Sequence, residues 1–298
     1  MAIDMGRSLT SQPASFDHLY ARVDPAQVTS LLDFRQLYPP QHLVVNGVNW
    51  EYLALGEVGM PILFLHGLAG AYDIWWQQME ALKDRYRVVS VTYPAVRSLQ
   101  ELAQGLLAIL DEKRVEKASV VGSSLGGYLA QYLVGVYPER VERAVFANTY
   151  ADKDPIERKY GFSGALLPYA PEWLVMAVLR AGYRLLVYPT SRHLPLVLAY
   201  LCEQTYGRMS KAQIHGRYRG VVERFPLPVP AAVDIPLLIL ESDNDPLIDP
   251  PVREDLKQAY PAAAVHTFHN AGHFPYLVVP VEYLRVLEAF LEDQSCSG

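Results

Sequence analysis

The chain has 298 residues, 51% of them hydrophobic, including 20 Tyr and 4 Trp, enough for a sizeable core and too apolar for a disordered protein. Its 26 Lys and Arg against 32 Asp and Glu leave a formal charge of −6, which argues against a generally basic nucleic-acid binder. Two cysteines, Cys202 and Cys296, exclude a disulfide framework or a Cys-rich zinc site.

The first twenty residues lack an apolar stretch behind basic residues, so no signal peptide is apparent and a cytoplasmic protein is expected. Residues 1–38 read as an N-terminal extension, in which Asp24 followed by residues 26–37 predicts a helix outside the sheet. Residues 42–45 and 49–53, joined by Asn46-Gly47, predict a hairpin. Nearly continuous apolar runs at 61–66 (PILFLH), 87–93 (RVVSVTY), 118–122 (ASVVG), 141–148 (VERAVFAN), 236–241 (PLLILE) and 264–268 (AVHTF) suit strands covered on both faces. Between them, Asp73 is placed to cap a helix bearing Trp75, Met79 and Leu82. Ser98 with Glu101 forms a capping box before Leu99, Leu102, Leu106 and Leu110. Leu284, Leu287 and Leu291 line a last helix, widened by Val286 and Phe290. Alternating strands and helices predict an α/β fold with a mostly parallel sheet and an antiparallel start.

Two stretches depart from this rhythm. Residues 118–138 carry no charge and are long enough to span a bilayer, but Gly122, Gly126, Gly127 and Gly135 together with Ser119, Ser123, Ser124 and Gln131 favour a buried strand turning into a buried helix. Residues 152–230 show no strand alternation and hold eleven basic against six acidic residues, a balance of +5 that leaves −11 for the rest. This predicts a helical cap inserted into a core formed by 39–151 and 231–298.

The candidate chemistry begins at Gly122-Ser123-Ser124-Leu125-Gly126-Gly127. A nucleophile on a tight strand-to-helix turn needs small neighbours, and Gly122 and Gly126 flank Ser124 at two residues on either side. Ser123 is off register for those glycines. A serine also requires a base held by a third group. His273, in Asn270-Ala271-Gly272-His273-Phe274-Pro275, and Asp245, in Ser242-Asp243-Asn244-Asp245-Pro246, each follow a predicted strand and so share its C-terminal edge with Ser124. Asp243 is assigned to capping its turn. Acyl transfer further needs two backbone N–H groups facing the oxyanion, expected from Leu125 and from Leu68 in His66-Gly67-Leu68-Ala69-Gly70. His66 is expected to hold that loop rather than to react. Neither a G-x-G-x-x-G nor a G-x-x-x-x-G-K-[ST] run occurs, so nucleotide binding is not expected.

HGLAG, GSSLGG, SDNDP and NAGHFP in this order resemble the α/β-hydrolase superfamily over about residues 40–292. More narrowly, 61–65, 86–89, Tyr93-Pro94, 124–131, 260–262 and 274–277 are similar to the maspardin-like branch, as is the short loop Tyr93-Pro94-Ala95-Val96-Arg97-Ser98 after the fourth strand. That branch includes members with incomplete triads, regarded as interaction proteins, whereas this sequence keeps Ser124, Asp245 and His273.

The resemblance implies a serine hydrolase, and a serine rather than an aspartate at 124 argues against dehalogenase and epoxide hydrolase chemistry. The expected reaction is cleavage of a small-molecule carboxylic ester through an acyl-enzyme, with no metal or organic cofactor and no nucleic-acid partner. The same groups would serve a thioesterase, a C–C bond hydrolase or an acyltransferase, and a non-catalytic binding module is the alternative. Within the cap, Tyr160, Phe162, Trp173 and Met176 are expected to line an apolar acyl pocket, in company with Tyr169 and Tyr183; the competing reading makes them the cap's own packing core.

Overall fold

The computed structural model describes residues 15–227 and 234–293. Cys296, the first 14 residues of the extension and the expected cap boundary at 230/231 lie outside them. Strands β1 (Gln41–Val45), β2 (Val48–Leu55), β3 (Pro61–Leu65), β4 (Arg87–Thr92), β5 (Ala118–Ser123), β6 (Val141–Ala147), β7 (Leu237–Ser242) and β8 (Ala264–Phe268) form one sheet in the order β1-β2-β4-β3-β5-β6-β7-β8. β1 pairs antiparallel with β2 and β2 with β4; every later pair is parallel. The hairpin closes where expected, with Asn46 at φ 51° and Gly47 at φ 77°, the left-handed pair that a two-residue turn demands.

The helices are α1 (Phe16–Tyr20), α2 (Pro25–Leu37), α3 (Trp76–Leu82), α4 (Leu99–Glu112), α5 (Leu125–Val136), α6 (Asp154–Leu166), α7 (Glu172–Gly182), α8 (Tyr188–Thr190), α9 (Pro195–Glu203), α10 (Lys211–Val222), α11 (Pro250–Ala259), α12 (Pro275–Val278) and α13 (Pro280–Glu292). Asp24 caps α2, accepting from the Ala26 N–H, and Ser98 caps α4 through the Glu101 N–H. The Glu101 carboxylate turns to the Ser98 hydroxyl and the Arg97 N–H.

Side chains alternate across the sheet. Ile62 and Phe64 of β3 join Val121, Val145 and Leu240 on one face, where Leu31 and Phe34 of α2, Met79 of α3 and Leu287 of α13 cover them. Leu63 and Leu65 join Val120, Phe146 and Ile239 on the other, under Leu106 of α4, Leu129 of α5 and Leu256 of α11. The uncharged stretch resolves into β5, Ser124 and α5, buried between these layers. No described helix is long and apolar enough to cross a membrane.

Asp73 corrects an expectation. It lies inside a 3-10 turn, Tyr72–Trp75, and α3 starts at Trp76 without a side-chain cap. Its carboxylate is fully buried and faces Arg35, Arg208 and the Tyr200 hydroxyl instead. Between β6 and β7 the chain is helical, α6 to α10, with π-helical turns at Tyr183–Val187 and Gln204–Arg208.

Candidate active site

Ser124, between β5 and α5, has φ 56° and ψ −120°, a strained conformation for a residue with a side chain. The backbone holds it there: its N–H donates to the Ala147 carbonyl at 2.9 Å, and its carbonyl accepts from the Thr149 hydroxyl at 2.7 Å. The flanking glycines are required by close approach. A Cβ on Gly122 would lie 2.1 Å from the Gly126 carbonyl oxygen, and one on Gly126 would lie 2.1 Å from that of Leu65. Leu125 opens α5, so its N–H belongs to the first turn, where the helix supplies no acceptor.

His273 and Asp245 meet at the C-terminal ends of β8 and β7. The imidazole Nδ1 lies 2.8 Å and 3.0 Å from the two Asp245 oxygens, and both residues are buried. The carboxylate also accepts from the Asn148 side-chain amide at 2.9 Å and from the Leu247 and Ile248 N–H groups at 2.9 and 3.2 Å. Burial alone would raise the Asp245 pKa, but His273 and the donated hydrogen bonds outweigh it and hold the carboxyl below its ordinary value. Acceptance of so many donors orients the carboxylate and keeps it ionised. Asp243 instead closes the loop before His273, accepting from the Asn270 N–H at 2.8 Å and contacting His269 Nδ1 at 2.9 Å. Gly272 precedes His273 with φ 62°, and its N–H donates to the Asn244 side chain.

The loop after β3 lies over Ser124: a Cβ on Gly67 would sit 3.1 Å from the Ser124 Cβ and 3.6 Å from its Oγ. His66 is fully buried beneath the loop. Its Nε2 accepts from the Tyr93 N–H at 3.3 Å, so Nδ1 carries the proton and donates to the Gly67 carbonyl at 2.6 Å. Burial, reinforced by the nearby Arg217 charge, drives the His66 pKa well below its ordinary value, which fixes this neutral form. The ring packs against that of Tyr93, centroids 4.0 Å apart and planes tilted by 34°, as expected of a holding role.

The expected acyl-pocket residues are not drawn together. Phe162 is 83% and Trp173 66% exposed, on the outer face of α6 and α7, and Tyr169 also faces solvent. Met176 is buried in a separate small core with Val175, Met209 and Ile214. Tyr160 packs at the margin of the layer containing Phe225 and Tyr150. Amphipathic helices pack their apolar stripe on one another before lining any cavity, and this segment follows that rule. Two residues that hold the site escaped the sequence reading. Asn148, at φ 44° beyond β6, bonds Asp245, and Arg217 of α10 bonds the loop after β3. An Asn just past a strand end was the signal for the first; nothing local marks the second.

The alpha/beta hydrolase fold family model matches residues 60–280. Maspardin of Danio rerio is 23% identical over 268 residues, covering 87% of this chain and 85% of that protein, which bears out the likeness to the maspardin-like branch. Among solved structures, a hydrolase from Pseudomonas aeruginosa PA01 has a TM-score of 0.74 at 21% identity, covering 86% of this chain and 99% of that one. The enol-lactonase from Burkholderia xenovorans LB400 has a TM-score of 0.72 at 17% identity, covering 85% and 100%. A sheet of this order, a strained serine after its fifth strand and a family match over most of the sequence converge on one assignment: the chain belongs to the alpha/beta hydrolase fold family.

Proposed function

We propose that the protein is a serine hydrolase that cleaves carboxylic esters. The observation that carries this reading is the buried Asp245–His273 pair, joined at 2.8 Å through Nδ1, on the same sheet edge as the strained Ser124. With Nδ1 engaged, Nε2 is the ring nitrogen left to take the Ser124 proton as the hydroxyl attacks the carbonyl carbon. The Leu68 and Leu125 N–H groups receive the oxyanion, the alcohol leaves with the proton from His273, and water then releases the acid by the same steps. Asp245, ionised throughout, orients the imidazole and stabilises the imidazolium. The α6–α10 segment acts as the cap, and residues 15–38 of the extension, α1 and α2, pack on the α/β core through Leu31 and Phe34.

Hydrolysis of p-nitrophenyl esters of increasing acyl length tests the proposal. The expected result is turnover by the wild type and loss of at least about 10³-fold of it in Ser124→Ala. Wild-type release no faster than that of Ser124→Ala, on esters and thioesters alike, would overturn it. The second reading, a non-catalytic interaction protein, is favoured by one observation: three large aromatic side chains of the α6–α7 region, Phe162, Tyr169 and Trp173, are each mostly exposed to solvent. A fluorophosphonate probe that labels Ser124 in the native but not the heat-denatured protein excludes that reading.

A further inference from the structure

Arg217 is 1% exposed, and no carboxylate pairs with it among the described residues. Its Nη1 donates to the Leu68 carbonyl at 2.8 Å and the Gly70 carbonyl at 3.0 Å. Its Nη2 donates to the Tyr93 carbonyl at 2.9 Å. Burying a guanidinium without an anion is costly, and here burial lowers its pKa to about 10. Yet α10 is pressed toward this contact, since a Cβ on Gly216 would lie 2.0 Å from the Val96 carbonyl oxygen and Gln213 also donates to the Tyr93 carbonyl.

The consequence falls on one amide. The peptide that carries the Leu68 N–H has its own carbonyl, Gly67, held by His66 Nδ1 and by the Gly70 N–H. The next carbonyl, Leu68, is held by Arg217. Because peptide units are planar, fixing the carbonyls on both sides of Leu68 fixes both of its backbone torsions and so the direction of its N–H.

We propose that Arg217, reaching from α10 across to the loop after β3, is a positioning residue that presents the Leu68 N–H to the oxyanion and makes the hole depend on the docking of α10. This rests on the hydrolase reading of the site. The guanidinium contributes a second effect, since an unneutralised positive charge behind the loop favours negative charge developing in front of it.

The test compares Arg217→Met, Arg217→Lys and wild type in ester hydrolysis, in inhibition by a phenylboronic acid that forms a tetrahedral serine adduct, and in amide hydrogen exchange. Arg217→Met is expected to lower kcat by about 10²-fold with KM changed less than about threefold, and to raise the boronate Ki by a similar factor. Arg217→Lys, which keeps the charge and part of the bonding, recovers about tenfold of that loss. Exchange over residues 66–72 accelerates by about tenfold in Arg217→Met while 118–136 stays protected. Folded variants with wild-type kcat, or a kcat loss without the Ki rise and the exchange change, overturn the proposal. If wild type hydrolyses no ester, the hydrolase reading fails, and the exchange comparison by itself decides whether Arg217 holds the loop.

Discussion

At the scale of single residues, the choice between Asp243 and Asp245 turns on donors that lie outside the motif itself. Both follow β7 within a few residues, but only Asp245 receives the Leu247 and Ile248 N–H groups, the Asn148 amide and His273. These are all donors, and a carboxylate accepts four where an amide accepts about two. Asp245→Asn therefore leaves donors unmatched and no longer selects the Nδ1–H tautomer of His273. We expect kcat to fall by about 10⁴-fold, as when the orienting acid of a serine triad is amidated. Ester turnover with binding of a substrate-like inhibitor measured in parallel checks this, because the inhibitor Kd should barely change. Asp243→Asn, which alters only the Asn270 and His269 contacts at the loop surface, should keep kcat within about threefold. The motif and the preference for Asp245 were legible in the sequence; the donors that surround Asp245 were not, because their placement appears only in the folded loop.

At the scale of elements, the strand, turn and helix around Ser124 follow directly from local sequence, because Gly122 and Gly126 are demanded by carbonyls only a few residues or one strand away. Replacing either by Ala drives a Cβ to within 2.1 Å of backbone oxygen, and a backbone cannot step aside as a flexible side chain does. Each should cost about 1–3 kcal/mol by overpacking. Gly182→Ala is the contrasting case: nothing lies within 4 Å of its Cβ position at the end of α7, so the better helix former should gain about 0.5–1 kcal/mol. Urea midpoints with unchanged slopes, falling for the first two and rising for the third, check the pair of statements. The strands and α2, α4, α5 and α13 were legible from local signals: continuous apolar runs for the strands, a capping side chain at α2 and α4, apolar spacing along α4 and α13, and the glycine-marked turn into α5. The acyl-pocket expectation failed because a helix's apolar residues do not say which neighbour they meet. Val175 and Met176 turn toward Met209 and Ile214 more than thirty residues on, leaving Trp173 outside.

At the scale of the whole molecule, Asp73 explains how the N-terminal extension and the α6–α10 segment are joined to the sheet. Local sequence suggests a helix cap, since the partners stand far away along the chain. Arg35 of α2 donates to Asp73 through Nε at 2.6 Å and to Glu203 of α9 through both Nη groups at 2.9 Å. Arg208 lies 2.8 Å from the same Asp73 oxygen, Tyr200 donates to the other at 2.6 Å, and Tyr20 of α1 donates to Glu203 at 2.7 Å. The positive balance of residues 152–230 is thus met in part by a buried acid of the sheet core, which a count of charges alone does not locate. Removing the carboxylate leaves two guanidiniums to share Glu203. Asp73→Asn should therefore destabilise the protein by about 3–5 kcal/mol, the usual result of breaking a buried ion pair on one side. Burial by itself would raise the Asp73 pKa, but Arg208, Arg35 and the Tyr200 hydroxyl carry it below its ordinary value. With the folded pKa below the unfolded value of about 4, this contribution is complete above that pH and is lost as the pH falls through the folded pKa. Urea unfolding of wild type and Asp73→Asn should then differ by a constant amount from pH 8 to about pH 5 and converge in more acid solution. A gap that persists unchanged to the acid-unfolding limit would mean that the carboxylate holds these helices by shape rather than by charge.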